Sequence, residues 1–277
     1  MEFEAIGTHW WIQPGQVKLD MAQIKHAIDN IDKVWSRFRD DSTVAKMALM
    51  AGEYKLSPSD ISLLNWYHQL YEATDGLMTP LIGQTLSDAG YDDKYSLKPK
   101  GYITTTPVWD EVIELKKTSI VLKHPALIDV GAAGKGYVVD EVAKLFGGDF
   151  CIDASGDIKV GDTKIDIGLE DPRDPTKLIG LATVKNAAIC GSATNRRAWR
   201  NWHHIINPKT SKPVDNITAT WVICDSAMQA DGLATALFFV TPDKLQHLAS
   251  FKYCIMYSDG SLKFTDDGTI KIFTEKQ

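Results

Sequence analysis

The chain has 277 residues, 44% hydrophobic, 24% charged and 9% aromatic. That composition can fill a sizeable core, excludes a disordered, collagen-like or coiled-coil protein, and allows one large unit or two at ~150 residues each. Acidic residues outnumber basic ones, 36 to 30, for a formal net charge of -6, which argues against a broad nucleic-acid or anionic-membrane face but leaves room for a small basic pocket.

The opening, Met1 to Trp11, carries acidic residues where a secretory signal needs basic ones, and no apolar core follows. Residues 3–13 read as a first strand. Val17, Met21, Ile24, Ile28, Ile31, Trp35 and Phe38 recur at spacings of three and four, one face of a helix. Arg39-Asp40-Asp41-Ser42 ends it. Ser57-Pro58-Ser59-Asp60 starts another, with Ser57 as cap, Pro58 at the first helical position and Asp60 reaching back. Ile61, Leu64, Tyr67, Leu70 and Tyr71 form its buried stripe, and Thr74-Asp75-Gly76 stops it.

Residues 86–110 are polar and rich in turns, then helical to about Lys117. Ser119–Lys123 reads as a strand, Gly131–Gly136 as a glycine-rich loop and Val138–Phe146 as a helix. From about 148 to 190 come short strands: Phe150–Asp153, Ile158–Val160, Lys164–Leu169 and Leu178–Val184. Thr218–Cys224 is a further strand, followed by a helix from about Ala227 to Val240, and Tyr253–Phe273 reads as hairpins. No stretch approaches the ~20 apolar residues of a membrane span. Cys151, Cys190, Cys224 and Cys254 lie far apart without a C-x-x-C, which reads as buried free thiols. No cysteine lies near the N-terminus to carry a lipid anchor, so the expected location is cytoplasmic. No linker divides the chain, so the expectation is one α+β unit over 1–277, with two lobes of about 1–147 and 148–277.

Four segments carry chemistry. Asp129-Val130-Gly131-Ala132-Ala133-Gly134-Lys135-Gly136 runs from a strand through a glycine-rich loop into a helix start, where backbone N–H groups favour phosphate. Its spacing matches neither G-x-G-x-x-G nor G-x-x-x-x-G-K-[ST]. A plain connector remains the alternative. Asp231 and Thr235 are four apart, one helical face, and both are hard oxygen donors suited to magnesium. They could equally be filler near a helix start. Arg196 to Pro208 interleaves basic residues, tryptophans and two histidines, which in an acidic chain reads as a local anion pocket. Neighbouring histidines on a strand face opposite ways, so His203 and His204 do not share a metal. Thr74 to Pro80 alone implies only a turn.

In their order, these segments resemble the FAD:protein FMN transferase family, the ApbE-type flavin transferases. Ile6-Gly7-Thr8 matches the family's Met-Gly-Thr, and Ser36 to Ser42 its S-x-Y/F-x-x-D-S. Thr74–Pro80 matches T-D-G-x-F-D-P, Asp129–Asp140 matches D-L-G-G-I-A-K-G-Y-x-x-D, and Ser155–Ile158 matches G-G-D-I. His204–Pro213 matches H-I-I-D-P-x-T-G-x-P, and Ala230–Thr235 matches A-D-x-x-x-T. The resemblance implies an α+β, two-lobed, ApbE-like and T-fold-like unit with mixed or antiparallel sheets and packed helices.

It further implies magnesium held by Asp231, Thr235 and the Ala132 carbonyl. Flavin contacts fall to Ile6, Phe38, Leu77, Met78, Thr79, Asp129, Lys135 and Ile206. The implied reaction moves FMN from FAD to a Thr or Ser hydroxyl of an acceptor flavoprotein and releases AMP. His204 is the implied general base, suited by a near-neutral pKa, with Lys135 and Asp231 as the other catalytic residues. Departures from the pattern are Ile6 for Met, Thr79 for Asp, Ala234 before the metal threonine, Cys190-Gly191-Ser192 for T-S-G, and Ser211 for Gly. A magnesium-dependent FAD pyrophosphatase uses the same residues. A non-catalytic FAD carrier does not need the intact Asp231, Thr235 and His204.

Overall fold

The first segment is a hairpin rather than one strand: Glu2–Ala5 pairs antiparallel with Thr8–Gln13. Ile6 and Gly7 make the turn, both at positive φ, 46° and 69°. The computed structural model describes residues 1–16 and 20–273, so Val17 of the expected helix lies outside the described residues. This hairpin is the edge of an eight-stranded sheet. Its order continues through Cys151–Ala154, Asp157–Val160, Ala187–Ala193, Ile217–Cys224, Lys252–Tyr257 and Leu262–Phe264. Every pairing in it is antiparallel.

The pleat sorts the side chains of this sheet into two cores. Ile152, Ala154, Ala188, Cys190, Val222, Cys224 and Ile255 face the helices. Cys151, Ile189, Ile223 and Cys254 face a three-stranded antiparallel sheet of Ile165–Asp171, Asp174–Val184 and Ile270–Ile272. Near-continuous apolar runs in these strands follow from burial on both sides. All four cysteines are free and buried, as expected.

The helix Met21–Trp35 starts at Asp20, whose side chain accepts from Ala22 N–H, and it ends before Phe38. Ser42 does not close that helix. It caps a second one, Thr43–Leu49, that the sequence did not signal. The helix Pro58–Ala73 has the expected capping box of Ser57 and Asp60. Helical structure after Val108 is confined to Trp109–Val112, and the chain turns into the strand Ile113–Leu115. That strand and Gly52–Lys55 flank Ser119–Leu122 in another antiparallel sheet. The helices Gly134–Ala143 and Ala227–Ala236 lie on the helical face of the large sheet, where Thr220 Oγ1 donates to the Ala234 carbonyl at 2.6 Å. Among the described residues no helix is long and apolar enough to cross a membrane.

Candidate active site

A cavity of about 470 Å³ opens between the N-terminal hairpin, the helix ends and the large sheet. All the candidate positions border it: Ile6, Phe38, Leu77, Met78, Thr79, Asp129, Ala132, Lys135, His204, Ile206, Asp231 and Thr235. They come from segments up to 229 positions apart, mostly turns, loops and helix residues that the fold gathers at one place. Ile6 arrives on the tight hairpin turn. Phe38 follows the end of Met21–Trp35. Thr79 Oγ1 accepts from Leu81 N–H at 3.2 Å and so starts the 3-10 turn Pro80–Ile82.

The glycine-rich loop is built differently from a loop that presents its amides to a phosphate. Gly131 N–H donates to Asp129 Oδ1 at 2.7 Å. Ala132 and Ala133 N–H both donate to the Tyr67 hydroxyl oxygen, at 3.2 and 3.1 Å. Gly134 N–H reaches the Val130 carbonyl and Gly136 N–H reaches Asp231 Oδ2. These five donors are used inside the protein, which corrects the expectation that they face a phosphate. Asp129 is also engaged, taking Arg37 Nε at 2.5 Å on its other oxygen.

The charged centre lies deeper. Lys135 ion-pairs with Asp157, which is fully buried. Burial works against the Lys135 charge, but Asp157 and Asp231 outweigh it and raise its pKa. Asp157 Oδ1 is buried with no partner. Asp231 is 3% exposed, and burial, then the charge of Asp157, push its pKa well above the carboxylate range. Thr235 Oγ1 lies 3.1 Å from Ser192 Oγ. Two buried carboxylates, one with an unpartnered oxygen, leave a deficit of positive charge at this point.

The two histidines differ in their surroundings, with His203 ending the strand Trp202–His203 and His204 lying just beyond it. His203 is fully used: its Nε2 lies 2.7 Å from the Val214 carbonyl, and its Nδ1 accepts from Ile205 N–H at 3.2 Å. His204 borders the cavity with its Nδ1 buried and unpartnered. Burial, then the charges of Arg197 and His203, push its pKa down to about 3. It is therefore neutral at physiological pH, a correction to the near-neutral pKa expected from the residue type.

Several lining residues were not singled out from the sequence. Arg37 bridges Asp129 and the Tyr91 carbonyl and lies over the Phe38 ring at 4.3 Å. Tyr67, Tyr91, Ser192 and Arg197 complete the wall, and Asp157 is buried behind it as the partner of Lys135. Asp157 stood inside the S-G-D-I segment and Arg197 inside the basic stretch, so both had a local signal. Tyr67 read only as part of an apolar stripe.

The ApbE family model matches residues 6–256, and the chain belongs to the ApbE family. A curated relative, the FAD:protein FMN transferase of Escherichia coli K12, is 20% identical over 287 residues, covering 90% of this chain and 80% of that protein. Those of Rhodobacter capsulatus and Klebsiella pneumoniae are 23% and 28% identical, covering 80% and 48% of this chain but 46% and 45% of their own. The chain thus spans about half the length of several curated relatives it matches. The ApbE protein of Thermotoga maritima shares the fold at a TM-score of 0.84 and 20% identity over 96% of both chains. The flavin transferase ApbE of Vibrio cholerae does so at 0.75 and 18% identity, over 97% of this chain and 96% of that one.

Proposed function

We propose that this protein is a magnesium-dependent FAD:protein FMN transferase acting on a Thr or Ser hydroxyl of an acceptor flavoprotein. The observation that carries the reading is the convergence of every candidate site residue, drawn from six of the matched segments, on one cavity. Family membership and the transferase relatives support it. A reducing, cytoplasmic setting is part of the reading, supported by the four buried free thiols.

The residues fit a hard dication. Asp231 offers a carboxylate, Thr235 a hydroxyl and Ala132 a carbonyl, beside the unpartnered oxygen of Asp157. Among the described residues no three His, Cys, Asp or Glu side chains form a metal cluster. So sparse a protein set suits magnesium, which keeps water and substrate phosphate among its ligands. Magnesium bound there would neutralise charge on the phosphate oxygens.

The chain's own residues do the rest. Ile6, Phe38, Leu77, Met78 and Ile206 supply apolar surface for a ring system. His204 Nδ1, neutral and unpartnered, takes the proton of the acceptor hydroxyl. A bound pyrophosphate raises the proton affinity of that imidazole by adding negative charge beside it. The hydroxyl oxygen bonds to the FMN-side phosphorus, the bond from that phosphorus to the bridging oxygen breaks, and AMP leaves with the electron pair. The test is incubation of the pure protein with FAD and magnesium, with and without a candidate acceptor. AMP release that depends on the acceptor, with flavin bound covalently to it, supports transfer. Equal AMP release without acceptor indicates a pyrophosphatase, and no release at all indicates a carrier.

A further inference from the structure

Arg37, Lys135 and Arg197 all border the cavity, but their charges are not equally available. Arg37, 3% exposed, is held by Asp129. Lys135 is held by Asp157. Arg197 has no carboxylate within ion-pair distance among the described residues, whereas its neighbour Arg196, which also borders the cavity, pairs with Glu170 at 3.1 Å. The Arg197 guanidinium lies 5.7 Å from the Tyr91 ring centroid, and Arg37 lies 4.7 Å from the same centroid.

Arg197 is also fixed in place. Its carbonyl accepts from His204 N–H at 3.2 Å. The residues after it form the hairpin Ala198–Trp199 with Trp202–His203. The Trp199 indole N–H donates to the Ala89 carbonyl at 2.9 Å, and its ring stacks on Tyr91 at 6.0 Å. Its charge acts at the cavity wall, where it adds to burial in disfavouring protonation of His204.

We propose that Arg197 is a catalytic residue whose guanidinium binds the non-bridging oxygens of the FAD pyrophosphate. The proposal rests on the transferase reading above. As the acceptor oxygen bonds to the FMN-side phosphorus and its proton passes to His204, the electron pair of the breaking bond moves onto the bridging oxygen of AMP. Arg197 is the cavity cation free to meet that charge, and its planar fork matches two phosphate oxygens at once.

The test uses Arg197→Ala and Arg197→Lys, with the exposed Arg200→Gln as control. Two readouts are taken: acceptor-dependent AMP release, and the Kd of FAD and of riboflavin by flavin fluorescence. Arg197→Ala should lower kcat by about 10²–10³-fold, the usual effect of losing one transition-state donor. It should raise the Kd of FAD about tenfold while leaving riboflavin, which has no phosphate, unchanged. Free guanidinium should restore part of the turnover. Arg197→Lys should stay well below wild type, and Arg200→Gln should match it. An Arg197→Ala kcat within about twofold of wild type overturns the proposal. So does an equal loss of FAD and riboflavin affinity, which marks a structural role. If the wild type releases no AMP, the transferase reading fails, and the two Kd values still decide whether Arg197 binds phosphate.

Discussion

The backbone N–H of Gly136 donates to Asp231 Oδ2 across 3.0 Å and ties the helix Gly134–Ala143 to the helix Ala227–Ala236. The approach is possible because residue 136 has no side chain. A methyl there would overlap the Ala227 carbonyl oxygen and come within 2.8 Å of Asp231 Cβ. Asp140, about one turn on, holds the helix Ala227–Ala236 by its start: Ser226 Oγ, Ala227 N–H and Met228 N–H donate to it at 2.6, 3.0 and 2.9 Å. Lys135 and Asp231 are therefore placed by one pair of helices.

Gly136→Ala should push these helices apart, since the atom in the way is backbone. Overpacking of this kind costs about 1–3 kcal/mol. The expected result is a lower Tm and a higher magnesium concentration for half-maximal turnover. An unchanged magnesium requirement would show that the helix contact does not set the Asp231 position.

Asp231→Asn keeps an oxygen acceptor for Gly136 N–H but removes the charge. It relieves the repulsion between two buried carboxylates, so the fold should hold. Turnover should fall to background, because a neutral amide and a hydroxyl bind magnesium poorly. FAD should still bind within a fewfold of wild-type affinity. AMP release near the wild-type rate would refute the metal assignment.

Local signals were readable where a few neighbouring residues suffice. The Ser57 and Asp60 capping box set a helix start that the structure keeps. Ser42 is the counter-example: seven helical residues hold too few turns for a periodic stripe, so its cap was read as a stop. Ala187–Ala193 is a central strand made largely of small residues, with little β-branched content to announce it. The motif positions of the site were legible as a set, but their partners were not. Arg37 meets Asp129 across 92 positions, and Tyr67 meets Ala132 across 65. No spacing rule links residues that far apart; the packing of the helix Pro58–Ala73 and the segment after Trp35 against the glycine-rich loop brings them together.

Asp88 is an acid-sensitive anchor. Burial raises its pKa, but Lys100, Thr104 and Gln84 donate to it and together hold it down at about 2. A folded pKa below the unfolded value of about 3.9 stabilises the protein above that value and loses the effect as pH falls toward 2. The contribution is on the order of 1–2 kcal/mol. Asp88→Asn should lower Tm at pH 7 and flatten its fall between pH 4 and pH 2. A parallel fall in both proteins would remove Asp88 from the account.

Ser211 sits at φ 55° where the family pattern has glycine, and its hydroxyl is buried without a partner. Left-handed backbone costs a non-glycine residue about 1 kcal/mol or more, and an unpartnered hydroxyl about as much again. Glycine gives back part of this through its freer unfolded chain. Ser211→Gly should therefore stabilise the protein by about 1 kcal/mol, a Tm rise of about 2–4 °C. A drop in Tm would mean that the hydroxyl meets a water that satisfies it.

The sharpest test of the chemistry is the asymmetry between His203 and His204. Both ring nitrogens of His203 are engaged with backbone, whereas His204 presents an unpartnered Nδ1 at the cavity. General-base help is worth about 10²–10⁴-fold. His204→Ala should cut transfer by that order and leave FAD affinity nearly intact. His203→Ala should lower Tm by loosening the link to Val214, with a much smaller effect on rate. The pH profile adds a second condition. With its pKa at about 3, His204 stays neutral down to low pH. The profile of kcat/KM, which reports the free enzyme, should show no acid limb near the ordinary histidine value of about 6.5. Stability follows the same sign: the depressed pKa supports the fold above the unfolded value and withdraws that support as pH falls toward 3. A limb near 6.5 that vanishes in His204→Ala would place the imidazole in water instead of in the buried wall. Equal rate losses at the two positions would leave a structural pair bracing the turn at Arg197, and the base would have to be sought elsewhere in the cavity.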